Sequence, residues 1–225
     1  YTRLFNVTLT PQVGVQFFLP SFEEFLSVGG FVPFTETTGA GKINVNIFYI
    51  RAVNGTIEVI ATHELVHHFL IKAGLSPNDF LWFHEGMAQY FSITLVENLR
   101  YEGATQERDR LEQGASQLIG LLGGEKFDFL QDWSPSASPA DVENYYVASY
   151  YVVNGLAQQY GGLDYYKRFF ELIHGVNVDN IDVFTLYLSK AANASVALTL
   201  QEWGFNVFDL YTSPEIREKI EETQR

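Results

Sequence analysis

The apolar residues of this chain change their period part-way along, and that change limits the folds open to it. Over residues 42–49, Ile43, Val45, Ile47 and Tyr49 fall on one side while Lys42, Asn44 and Asn46 fall on the other, the alternation of a half-buried strand. Residues 3–10 and 14–19 read as two earlier strands. After Tyr101 the spacing is helical, with helices predicted near 105–122, 140–160, 163–173, 181–192 and 214–223. A small sheet followed by helices predicts an α+β fold: a β-sheet lobe over 1–101, an α-helical lobe over 102–225, and one functional unit with a cleft between them. The stretch "DWSPSASPAD", residues 132–141, reads as an exposed connection, because Ser and Pro favour turns.

Composition narrows the partners. The 225 residues are 47% hydrophobic and 18% charged, a balance that folds unaided. The net charge is −13 with only 14 Lys and Arg, which argues against nucleic acid and against anionic membrane surfaces. No run reaches the roughly 18 apolar residues of a membrane span, so a soluble mature chain is expected. There is no cysteine, which leaves His and carboxylates as the residues able to hold a metal. The chain starts at Tyr1 without an initiator Met, as a trimmed or processed protein does. Three Asn-x-Ser/Thr triplets, at Asn6, Asn54 and Asn193, tilt the expectation toward an exported protein.

The segment "HELVHHFL", residues 63–70, holds three of the five histidines. A turn at Asn54-Gly55, a cap at Thr56, the apolar spacing of Ile57, Ile60, Leu65 and Phe69, and Gly74 at the far end predict a helix over 57–73. On it His63 and His67 stand one turn apart on the same face. Two imidazoles so placed can chelate one Zn2+ at about 2.0 to 2.1 Å, with Glu64 beside them as a general base. Zinc would act there as a Lewis acid while the carboxylate takes a proton from the attacking water. The competing reading is an amphipathic helix with hydrogen-bonded core histidines.

A catalytic zinc held by two histidines needs a third ligand. "WFHEGMAQY", residues 82–90, offers Glu85, 18 positions after His67. Ser76-Pro77-Asn78-Asp79 reads as a helix start, which puts Glu85 about two turns into a second helix. A return after the turn at 74–76 would set Glu85 opposite His67. His68 and His84 lie about 100° round from the ligand face, as neighbours of the site or surface groups. His174, before Gly175, reads as a partner of a helix C-terminus.

The two motifs together resemble the gluzincin zinc metallopeptidases, which include thermolysin-like and aminopeptidase N-like enzymes. In that clan the third ligand is a Glu often preceded by an aromatic and followed by Gly, as Trp82, Glu85 and Gly86 stand here. The resemblance runs from about 42 to 175 and implies a thermolysin-like catalytic domain cleaving peptide or protein substrates. It implies Zn2+ on His63, His67 and Glu85, with Glu64 as general base. The helix "YVASYYVVNGLAQQYGG", residues 146–162, is similar to the one carrying the oxyanion tyrosine, which points to Tyr146, with Tyr145 and Tyr150 as alternatives.

The Gly-x-Met-Glu-Asn strand with which the aminopeptidase branch grips a free amine is missing. "TETTGAGKINVNIF", residues 35–48, stands in its place, with Glu36 at about the right distance, and the departure points to an endopeptidase. Residues 42–50 are the candidate edge strand for an extended peptide. The alternative in another class is a non-catalytic or latent binding protein with a zinc site.

Overall fold

The computed structural model describes residues 1–10, 12–22, 28–35, 39–135 and 141–213. The chain opens with a short helix, α1 (Thr2–Phe5), where a strand over 3–10 is expected from alternation. Asn6 ends it in the left-handed region at φ 53°. Packing explains the difference: Phe5 is wholly buried, its ring centred 4.6 Å from that of Phe170 and 5.2 Å from those of Phe69 and Phe91. Anchoring one aromatic among helices outweighs a weak period-two pattern.

Among the described residues five short strands follow: β1 (Val15–Phe18), β2 (Gly30–Phe31), β3 (Phe34–Thr35), β4 (Gly39–Ala40) and β5 (Ile43–Asn46). The main sheet has the order β1-β5-β2, with β1 parallel to β5 and β2 antiparallel to it, while β3 and β4 form a separate two-stranded ladder. β5 is therefore central. Residues 42–50 do not offer a free edge, and among the described residues the edge beside the site is β2.

Nor is β5 half-buried, since Asn44 and Asn46 are as enclosed as Ile43 and Val45. Their amides are satisfied inside: Asn44 accepts from Gln16 Nε2 at 2.7 Å and donates to the Lys42 carbonyl at 2.9 Å, and Asn46 donates to the Val28 carbonyl at 2.8 Å. Asn46 also accepts from the Phe48 backbone N–H at 3.0 Å, which turns the chain into a 3-10 helix over Ile47–Arg51. The alternation ends there, leaving Ile47 exposed.

The described residues that follow are mainly helical: α2 (Thr56–Lys72), α3 (Leu81–Asn98), α4 (Glu102–Leu122), α5 (Val142–Tyr160), α6 (Gly162–Ile173), α7 (Ile181–Ala192) and α8 (Val196–Glu202). α2 begins one residue before its expected start. Thr56 is its first residue, while Gly55, at φ 95°, is the cap and makes no side-chain hydrogen bond. One hydrophobic cluster runs from Phe5 through Phe69, Phe83, Tyr166 and Phe184 to Val207. The fold is thus mixed α+β, with the small sheet preceding the long helices. Within the predicted connection over 132–141, Asp132, Pro135 and Asp141 are exposed and Trp133 is buried, while residues 136–140 lie outside the described residues. The helix predicted over 214–223 and the candidate Glu36 lie outside the described residues. Among the described residues no single helix is long and apolar enough to cross a membrane.

Candidate metal centre

His63 and His67 project from one face of α2, their ring centres 5.0 Å apart. The helix closes at Gly74, whose φ of 90° suits a residue without a side chain, and the Leu75 N–H returns to the Leu70 carbonyl at 3.1 Å. Ser76 does not start α3. Its hydroxyl accepts from the Asn78 N–H at 3.1 Å within a turn, and its carbonyl accepts from Phe80, so α3 begins only at Leu81. Glu85 therefore sits about one turn into its helix, not two. The antiparallel return sets it where expected: Glu85 Oε2 lies 3.2 Å from His63 Nε2 and 3.7 Å from His67 Nε2. Ligand atoms of His63, His67 and Glu85 all lie within 4.8 Å of one another, the one such group among the described residues.

Burial and charge act together on these side chains. Burial holds His67 down to about 4, against the pull of Glu85 in the other direction. Burial also opposes protonation of His63, yet its hydrogen bond to Glu85 and the charges of Glu64, Glu85 and Glu107 outweigh it and raise its pKa. For Glu85, burial would raise the pKa, but the imidazoles of His67 and His63 prevail and hold it below the usual carboxylate range. Glu64, only 6% exposed, is pushed up to about 7, chiefly by burial. A cation on the neighbouring ligands would act to lower it.

His63, His67 and Glu85 open onto a cleft of about 400 Å3, into which Glu64 and Tyr146 also face. Its walls include Phe31 of β2, Ile71, Leu81 and Trp133, and no Lys or Arg is among its described lining residues. Ile71 is one turn beyond His67 and Leu81 one turn before Glu85, so the ligand faces continue as apolar walls. Gly30 lets β2 pass close over α2: a Cβ there would stand 2.7 Å from Ile60 and 3.2 Å from the Glu64 side chain.

Of the three candidate tyrosines, Tyr146 lines the cleft, edge-on to Trp133 at 5.2 Å between ring centres. The charge of Glu85, then burial, then the charge of Glu64 raise its pKa and keep its phenol protonated. Tyr145 instead packs on Phe129 and Trp133, and Tyr150 is buried with its field set by Glu112 and Arg108 of α4. His84 is wholly enclosed, with Nδ1 3.5 Å from His67 Nδ1 and Nε2 3.2 Å from the Leu75 carbonyl, so it neighbours the site. His68 is buried and outside the ligand group, and His174 caps the end of α6.

Gly30, Trp133, Ile71 and Leu81 were not singled out from the sequence. A signal existed for the last two, at helical spacing from the ligands, and none for Gly30 or Trp133. No family model, no curated protein and no solved structure matches this chain.

Proposed function

We propose that this chain is a zinc-dependent metallopeptidase of gluzincin type, with a thermolysin-like catalytic domain acting as an endopeptidase. The observation that carries the reading is the convergence of His63, His67 and Glu85 at the mouth of a cleft that Glu64 and Tyr146 also line. The donor set fits zinc: two imidazole nitrogens and one carboxylate oxygen, with Glu85 still 12% exposed on the open side. Three protein ligands and an accessible remaining position are the pattern of catalytic sites, whereas structural zinc is usually closed by four.

Zinc, when bound, supplies a Lewis acid that polarises a carbonyl and makes water nucleophilic near neutral pH. The chain's own residues do the rest. Glu64, set one position round α2 from His63, takes the proton of the attacking water and returns it to the departing amine. The Tyr146 phenol, held protonated by its acidic neighbours, donates to the carbonyl oxygen as negative charge develops there. The edge of β2 gives an extended peptide a strand to pair with, while Ile71, Leu81 and Trp133 shield the reacting bond from water.

The test is incubation of an unstructured protein with wild type and with Glu64→Gln, the products sequenced by mass spectrometry. Internal cleavage by wild type that disappears in the folded variant supports the reading. Trimming from the N-terminus would replace endopeptidase by aminopeptidase, and no cleavage by zinc-loaded wild type would overturn the hydrolytic reading.

A further inference from the structure

His84 is wholly buried, and both of its ring nitrogens face a partner. Nε2 lies 3.2 Å from the Leu75 carbonyl oxygen, and a carbonyl only accepts, so Nε2 carries a proton. Among the described residues no carboxylate hydrogen-bonds to this ring, whose other nitrogen, Nδ1, meets His67. A neutral ring has a single proton, which leaves His84 Nδ1 a bare acceptor.

That bare nitrogen faces Nδ1 of His67 at 3.5 Å, with the two rings within 9° of parallel. Two lone pairs would repel across this contact, so His67 carries its proton on Nδ1 and presents a bare Nε2. Nε2 is the atom that lies 3.7 Å from Glu85 Oε2 and points into the ligand group. The two ligand imidazoles therefore differ. His63 meets the Glu85 carboxylate through Nε2 at 3.2 Å. His67 has its ligating nitrogen already free.

We infer that His84 is a positioning residue that fixes the tautomer and ring orientation of His67, anchored in turn by the Leu75 carbonyl at the turn between α2 and α3. The inference rests on the reading of His63, His67 and Glu85 as metal ligands, and its role is to present Nε2 of His67 to the metal without rearrangement. Partners of this kind are worth roughly 10- to 100-fold in metal affinity.

Nitrogen-15 spectra of the metal-stripped full chain at neutral pH test the tautomers directly. The expected pattern is His67 protonated at Nδ1 and bare at Nε2, with His84 the reverse. A His67 carrying its proton on Nε2 overturns the inference on wild type alone, whatever any variant does. Zinc affinity, read by competition with a chromophoric chelator, tests the consequence.

His84→Asn places an accepting oxygen near the position of Nδ1 and is expected to keep zinc affinity within a few-fold. His84→Phe fills the space without an acceptor and is expected to lose roughly 10- to 100-fold. A folded His84→Phe that binds zinc as tightly as wild type overturns the inference. Wild type that takes up no zinc would overturn the metal reading instead, and the His67 spectrum would still decide the tautomer.

Discussion

Gly86 and Ser149 meet so closely that a Cβ on Gly86 would stand 2.4 Å from the Ser149 carbonyl oxygen. This crossing seats α5 on α3, and Tyr146, nearly one turn before Ser149, reaches the cleft because of it. The glycine after Glu85 thus has a packing reason of its own. Gly86→Ala is expected to destabilise the protein by about 1 to 3 kcal/mol, since a backbone oxygen cannot swing aside and overpacking outweighs the better helix propensity of Ala. Thermal unfolding checks this, and an unchanged or raised Tm would contradict it.

Tyr146 lies in the cleft and Tyr145 packs behind it on Phe129. Tyr146→Phe is expected to lower kcat by roughly 10²- to 10³-fold, the worth of one donor to a developing oxyanion, with zinc content and Tm unchanged. Tyr145→Phe, which removes no group from the cleft, should leave kcat within a few-fold. Equal rates for both variants would remove Tyr146 from the chemistry.

Charge in the cleft makes a prediction about substrates. Beyond the metal group its walls are apolar, at Phe31, Ile71, Leu81 and Trp133, with no Lys or Arg among the described lining residues, so acidic side chains flanking the scissile bond would be desolvated without a partner. Peptides with apolar residues there are expected to be cleaved about tenfold or more faster, by kcat/KM, than the same peptides carrying Asp, a difference of about 1.4 kcal/mol. A preference for acidic flanks would contradict the arrangement.

Alkaline pH probes the helical core. Tyr165 and Tyr166 are wholly buried, and burial holds both phenols well above the ordinary range, while burial first and then the contact with Glu125 push Tyr151 up to about 12. The unfolded chain releases such protons near pH 10 and the folded chain does not, so the folded state binds more protons above that point. The contribution is intact below pH 10 and is lost as pH rises toward the folded values. Tyrosinate absorbance from these residues is expected to appear together with loss of helical circular dichroism. Gradual ionisation in an intact fold would contradict this.

The parts of the structure legible in the sequence are those fixed by local chemistry. α7 was placed at both ends, where Asn180 accepts the Val183 N–H at 3.0 Å and Asn193 takes the left-handed conformation at φ 54°. The ligand group was legible because helical spacing and one turn suffice to set Glu85 against His63 and His67. What depends on distant partners was not legible. Phe5 is helical because of Phe69, Phe91 and Phe170, Asn44 and Asn46 are buried because Gln16 and Val28 satisfy them, and α3 starts late because Ser76 spends its hydroxyl on the turn. Helix geometry left position 84 beside the site or at the surface, and its contact with His67 Nδ1 follows only from how α3 packs on α2.

Zinc uptake by the purified full chain tests the central claim most directly, measured for wild type, Glu64→Gln, His67→Ala and Glu85→Ala. The account predicts one zinc per chain in wild type and in Glu64→Gln, with cleavage lost only in the latter of these two, and little or none in the two ligand variants. Equal zinc in all four proteins, or none in wild type after zinc is added back, would contradict it and leave "HELVHHFL" a histidine-rich core helix.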